Sequence, residues 1–576
     1  MFHSITRRAA LPALLAAACL IAPPASAQPT FELDLQPAGP GGAPQTVAVV
    51  AVSSYQKVLD DVGYIGGLVG QPQAATMVEA MISMFTENKG LVGLDRDRPW
   101  CLLVQSSGQD FSPLVCLPVS DLDGLLALGG NAGVLVEEMG DDVKSLSMQG
   151  QTYFVKGNGQ WAYAAQRADQ LASLPADPTD SVDGLIDNYD IGVRLMAQNV
   201  PPMFKQLALD QLRQGMQEGL ERKPDESNAE FEARQKVAQA NIENIEQFIK
   251  DLDEAVVGIA INPDGGGLTL DFRGSAVAGT SLADQFSMYK EGGATKLSGF
   301  LQDDASVSVA SAYTIPADVV PKIQAEYQRQ MATSRAALEQ LLDEADLPNE
   351  EVRDTFKSAL EDVMACAEAM VASGEVDMVG NMQLKMGGAS AIGGFRTTAP
   401  EKIESALKKV AALAEGDPNF PGINWNAETH EGVTLHTMSI PVGAPEAQDV
   451  FGKTLAIAVG IGPDAAYFSL GPDGVGALKA AITASGSGSA EVKPMQMDIA
   501  LAQVMDFAAA TAEASGEDAA VPQMIAQMLG QSDQSHIHVT VDGEANGLLY
   551  RVKVEEGVLQ ALGQFGAEMQ RRQMGQ

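Results

Sequence analysis

RPWCLLVQSSGQDFSPLVCLPV (Arg98–Val119) reads as two apolar strands around a polar turn, and it carries two of the four cysteines in the chain. Residues that face each other across a hairpin have a constant numerical sum. Setting Cys101 against Cys116 centres the turn on Ser107–Asp110 and sets Leu103 against Leu114. Directly opposed Cβ atoms lie about 4.5–5.5 Å apart, a reach that a disulfide closes with local adjustment. The pair is therefore expected to be a structural brace. A redox pair is more often spaced as CxxC, and a metal site needs more ligands than one hairpin offers. Cys366 is left odd, on the flank of a helical stripe, and is expected to be a buried free thiol.

The hairpin belongs to a recurring order of a strand, one or two helices, a hairpin and a closing helix. Thr46–Val52, a helical stretch over Tyr55–Phe85, the quoted hairpin and Ser120–Gly129 form the first unit, with Ser120 or Asp121 as N-cap. Three later strands, Tyr189–Ala197, Ala305–Tyr313 and Met497–Val504, open the other units. Their hairpins fall at Val256–Gly274, Val376–Thr398 and His536–Val554, the first turning at Asn262-Pro263-Asp264-Gly265. Two linking pieces lie between units, Gln151–Leu174 and Leu455–Ile482. Pro201–Glu254 and Pro316–Ser373 read as inserted helical hairpins, broken at KPDESN and DLPN.

The expected fold is α+β, with antiparallel hairpins forming sheets that helices cover on one face. Its expected halves are 46–292 and 297–576, meeting near EGGATKLSG (Glu291–Gly299). Residues 28–45 read as a flexible tail. Residues 1–27 read as a signal peptide: Arg7 and Arg8 precede an apolar run ended by Pro23-Pro24, and Ala25–Ala27 supply the small residues of a cleavage site. No run is long enough to anchor the mature chain in a bilayer. The expected location is therefore periplasmic or extracellular, a setting that favours disulfides.

Charge excludes several partners. Seventy-five acidic residues against 37 basic ones give a net charge of −38, which repels nucleic-acid backbones and anionic membrane surfaces. Chemistry is scarce. There is no GxSxG nucleophile elbow, and the glycine-rich GPDGVG, NPDGGG and VDGEANG lack the lysine of a phosphate loop. Paired carboxylates such as Asp60-Asp61, Asp141-Asp142 and Asp303-Asp304 follow from the composition, and with aromatics at 5% a carbohydrate cleft is poorly supplied. His536 and His538 share a strand face and could hold a metal with help from Asp533 or His430, but no ligand spacing supports it. No catalytic, cofactor or metal residue is therefore assigned, and no cofactor is expected.

GQTYFVKGNGQWAYAAQRADQLASL (Gly150–Leu174), in which a strand, a glycine turn and a second strand run straight into a helix, resembles uncharacterised exported bacterial proteins built from repeated strand–helix–hairpin units. The resemblance implies no known activity and transfers no functional residue. The leading expectation is a non-enzymatic exported protein that binds a protein partner or an apolar ligand between sheet and helices. The rivals are a hydrolase with a site assembled across the repeats and a structural cell-envelope component.

Overall fold

The computed structural model describes residues 44–574 apart from 109, 130–133, 149–150, 219–221, 223–227, 264, 291, 345–348 and 416–419. The stretches expected to be a signal peptide (1–27) and a tail (28–45), the latter but for its last two residues, and most of the KPDESN and DLPN turns lie outside the described residues.

From the N-terminus the elements are β1 (Gln45–Val52), α1 (Tyr55–Leu68), α2 (Ala74–Phe85), β2 (Trp100–Ser106), β3 (Phe111–Pro118) and α3 (Leu122–Gly129). Next come β4 (Leu135–Gly140), β5 (Val143–Met148), β6 (Gln151–Asn158), β7 (Trp161–Ala165) and β8 (Ile191–Met196). They are followed by α4 (Pro202–Glu218), α5 (Asn228–Asp251), β9 (Leu252–Asn262), β10 (Gly267–Ala276), α6 (Ser281–Ser287) and the short β11 (Gly293–Thr295). The chain continues through β12 (Val307–Thr314), α7 (Val320–Glu344), α8 (Glu350–Ser373), β13 (Glu375–Gln383), β14 (Ser390–Arg396) and α9 (Glu401–Ala414). After these run β15 (Asn424–His430), β16 (Val433–Pro441), α10 (Pro445–Phe451), β17 (Thr454–Ile461), β18 (Ala465–Gly471) and α11 (Gly474–Ser485). The last are β19 (Ala490–Val492), β20 (Met495–Ala500), α12 (Leu501–Ser515), α13 (Ala520–Leu529), β21 (His536–Glu544), β22 (Gly547–Glu555) and α14 (Glu556–Met574).

The fold is α+β. Twenty strands form one antiparallel sheet, and β11 pairs separately with β19. One wing runs β4-β5-β6-β7-β3-β2-β1-β8-β9-β10. The other runs β15-β16-β17-β18-β14-β13-β12-β20-β21-β22, and the wings meet where β10 pairs with β22 over Gly267–Ser275. Strand order and connection are the same in both wings when counted outward from that junction.

Local chemistry explains the boundaries. Ser54 caps α1 by accepting from the Lys57 amide, and α1 and α2 separate at Gly70, whose φ of 75° a side chain would strain. Asp121 accepts from the Gly124 amide and starts α3. Asn349 caps α8, which ends at Gly374 in the left-handed conformation. The inserted helical hairpins pack together through α5 and α7.

Alternation gives the sheet two faces. The front buries Val49, Ala51, Cys101, Leu103, Leu114, Cys116 and Tyr163 under Leu171, Val182, Leu185 and Tyr189 from the β7–β8 connection. In the other wing Ala310, Val379, Leu435 and Ala458 are buried under Leu297, Phe300, Leu478 and Ile482. The back carries α6, α13 and α14 near the junction, with Leu529 and Val558 packed over Ile537 and Val554.

Candidate functional site

Strands buried on one side of an antiparallel sheet ordinarily carry polar residues on the other. Here the back of the first wing is apolar as well. One row of directly paired residues runs Val115, Leu102, Val50, Val193, Val257, Phe272 and Tyr550, from β3 to β22. The next runs Trp100, Val52, Ile191, Ile259, Leu270 and Val552. The row on the other side passes through Val104, Ala48, Leu195 and Ala255. None of these positions bears a charge or an amide side chain. With strands about 4.8 Å apart and about 3.3 Å of rise per residue, the patch covers roughly 29 by 13 Å.

The patch is only partly covered. Val193 is 38% exposed, Val257 42% and Phe272 46%. Helices bracket it along the strand direction. At one end Tyr55 of α1 stacks on Trp100, with ring centroids 6.2 Å apart. At the other, Phe204 of α4 packs on Phe111 of β3 at 4.3 Å. The result is an open apolar trough with aromatic ends. The largest apolar patch on a folded monomer is commonly about 300–600 Å² and often functional, and this patch falls in that range.

α2 adds a second exposed apolar element beside it. Glu79 accepts from Arg96 Nη2 at 2.6 Å, and the same guanidinium lies 4.7 Å above the Tyr55 ring. That pins one side of α2. Met77, Met81 and Met84, at i, i+4 and i+7, occupy the opposite side and are exposed. Methionine suits an apolar surface that must adapt to its ligand.

The two cysteines take the expected register. Cys101 pairs with Cys116 and Leu103 with Leu114, in the core of the front face. Both are buried free thiols, and burial pushes each up to about 12. Such thiols are neutral near pH 7 and make poor nucleophiles or metal ligands. Their apposition suits oxidation to a cross-strand disulfide, which for a loop of this length contributes about 3 kcal/mol in the chain-entropy account. Protein made in an oxidising compartment is expected to lack two thiol hydrogens by intact mass, and reductant should lower its unfolding free energy by that amount. Alkylation of both positions without reductant rules the brace out. Cys366 is also a buried free thiol, with Sγ 3.6 Å from Thr397 Oγ1.

The front face is polar at the junction. Arg551 grips the buried Asp271 through Nε and Nη2, each 2.7 Å from a carboxylate oxygen, and the Tyr189 hydroxyl donates to the same carboxylate at 3.0 Å. Nearby, Asp498 on β20 accepts from His536 Nδ1 at 2.6 Å and from His538 Nδ1, while His538 Nε2 lies 3.2 Å from Glu555. Asp498 and Glu555, not Asp533 or His430, are thus the partners of these histidines. His430 instead contacts Thr483 on α11. Among the described residues no group of three or more histidine, cysteine, aspartate or glutamate side chains is arranged to hold a metal.

Carboxylates on both nitrogens favour the cationic form of an imidazole. The Asp498 hydrogen bond, then that of Glu555, raises His538 above the usual histidine range. Burial alone would raise Asp498, but the hydrogen bonds from His538 and His536 outweigh it and leave Asp498 lowered. The His538 contribution to stability is complete below the unfolded pKa of about 6.5 and is lost as pH rises through the raised folded value. The Asp498 contribution is present above about pH 4 and is lost as pH falls through its lowered value. Urea unfolding should therefore show wild type losing stability relative to His538→Gln from about pH 6.5 upward; parallel curves there exclude the clasp.

No described helix is long and apolar enough to cross a membrane. No family model matches the chain, and neither a curated protein nor a solved structure matches it.

Proposed function

We propose that this is an exported, non-enzymatic protein that binds an apolar ligand in the open trough on the back of its first wing. The observation that carries this reading is the continuous apolar row from Val115 to Phe272, left partly exposed in the middle of a sheet whose other face is a packed core. Each 100 Å² of apolar surface removed from water contributes about 2.5 kcal/mol, so a chain-like ligand laid along the row gains affinity without polar contacts. The matching strand order of the wings supports reading the chain as two tandem similar halves, 46–292 and 297–576, built on one plan. The neutral buried thiols and the carboxylate-locked His538 favour binding over catalysis.

Protein purified from its own host without detergent should carry an apolar small molecule, seen by native mass spectrometry and by solvent extraction. Empty protein that also fails to take up the neutral dye Nile red defeats the reading.

A further inference from the structure

One wall of the trough holds a charge with no partner. Pro201 just before α4 and Phe204, Lys205, Ala208 and Leu209 on it are the less exposed positions and recur at helical spacing, while Met203, Gln206 and Leu207 are exposed. Phe204 is the residue that packs on Phe111, and Phe111 shares the back face of β3 with Pro113 and Val115. Lys205 therefore lies on the side of α4 turned toward that end of the trough.

Lys205 as a residue is half-buried, its ammonium is not among the fully buried atoms, and it makes no hydrogen bond or ion pair among the described residues. Burial lowers it from the usual lysine range, and no neighbouring charge opposes that shift. This contrasts with Lys57, Lys402 and Lys409, each of which meets a carboxylate. With acidic residues outnumbering basic ones by 75 to 37, a carboxylate partner for a structural lysine is easy to supply. A partly desolvated cation without a counter-ion among the described residues is a ready partner for an incoming anion.

We propose that the trough takes an anionic amphiphile, with a carboxylate or phosphate head on the Lys205 ammonium and an acyl tail across the strands toward Val257 and Phe272. This rests on the apolar-ligand reading above and adds the chemistry of the head group. It also fits the overall charge. A chain this acidic has little affinity for anionic surfaces in general, so an anionic ligand needs one local cation set against an apolar floor.

The test is competition against protein-bound Nile red by hexadecanoate, hexadecyl phosphate and hexadecanol near pH 7, with wild type, Lys205→Met and Lys205→Arg. Wild type should prefer at least one of the anionic ligands over the alcohol by about tenfold or more, as expected for a charge-assisted contact. Which of the two is preferred separates a fatty-acid head from a phosphate head. Lys205→Met should remove that preference while leaving hexadecanol binding unchanged, and Lys205→Arg should restore it. Equal binding of acid, phosphate and alcohol by wild type, or a preference that survives Lys205→Met, overturns the head-group assignment and leaves the trough standing. Failure of all three ligands and of the dye overturns both.

Discussion

Replacing Arg551 by methionine is expected to lower the unfolding free energy by about 3 kcal/mol, near the low end for breaking a buried ion pair. Asp271 is 1% exposed at the centre of the β10–β22 junction, and Arg551 supplies two of its three side-chain hydrogen bonds. Methionine keeps most of the arginine's apolar bulk but leaves the carboxylate with only the Tyr189 hydroxyl. Arg551 is itself 46% exposed, so water relieves part of the penalty and places the loss below the upper range. The paired variant Asp271→Leu with Arg551→Met removes both charges and should recover most of the stability, because an absent pair costs far less than a broken one. Urea denaturation of wild type, the single variant and the pair measures this. A single variant within about 0.5 kcal/mol of wild type would show that the junction does not depend on the ion pair.

Much of this arrangement was legible in the sequence because the hairpins carry explicit punctuation. The quoted register placed Cys101 opposite Cys116, and NPDG marked the β9–β10 turn, where Asn262 Oδ1 accepts from the Gly265 amide. Two hairpins lack such punctuation. β4 and β5 turn at Asp141-Asp142, both with positive φ, so two aspartates occupy positions where a turn reader looks for asparagine and glycine. β15 and β16 turn at Glu431-Gly432 within HEGVTLH, a stretch weighed for metal-ligand spacing. In both, acidic residues hold positive-φ positions, so the composition of the turn does not announce its backbone geometry.

The trough was legible only in part. WCLLV, TVAVVAV and VVGIAI are continuous apolar runs rather than alternating ones, the pattern of strands apolar on both faces. Sequence alone does not say whether the second apolar face is roofed by a helix. Here α6, α13 and α14 cover the junction strands, while Val193 and Val257 are left partly bare. Lys205 gave no signal at all, since an unpaired lysine differs from a paired one only through what the fold brings near it. The His536–Asp498–His538 clasp was half visible: the two histidines are adjacent on their strand, but Asp498 comes from 38 residues upstream of His536.

The double variant Val193→Asn with Val257→Asn is expected to weaken ligand binding roughly a hundredfold while leaving the fold intact. The two residues face each other on β8 and β9 at the middle of the apolar row, and their amide side chains would lie beneath any tail crossing the sheet. Without a ligand both amides reach water, so the cost to stability is about 1 kcal/mol from strand propensity. With a tail seated, they lose solvent and gain no partner, a penalty of about 3 kcal/mol for the two, which raises Kd roughly a hundredfold. Substitution of Met77 and Met81 by glutamine, on the exposed side of α2, separates two roles. If α2 only borders the trough, affinity should fall by less than threefold; if its methionines close over the ligand, the loss should approach that of the floor variant. Hexadecanol competition reads both variants without contribution from Lys205. Undiminished hexadecanol binding by the floor variant would show that the ligand does not lie on this face of the sheet.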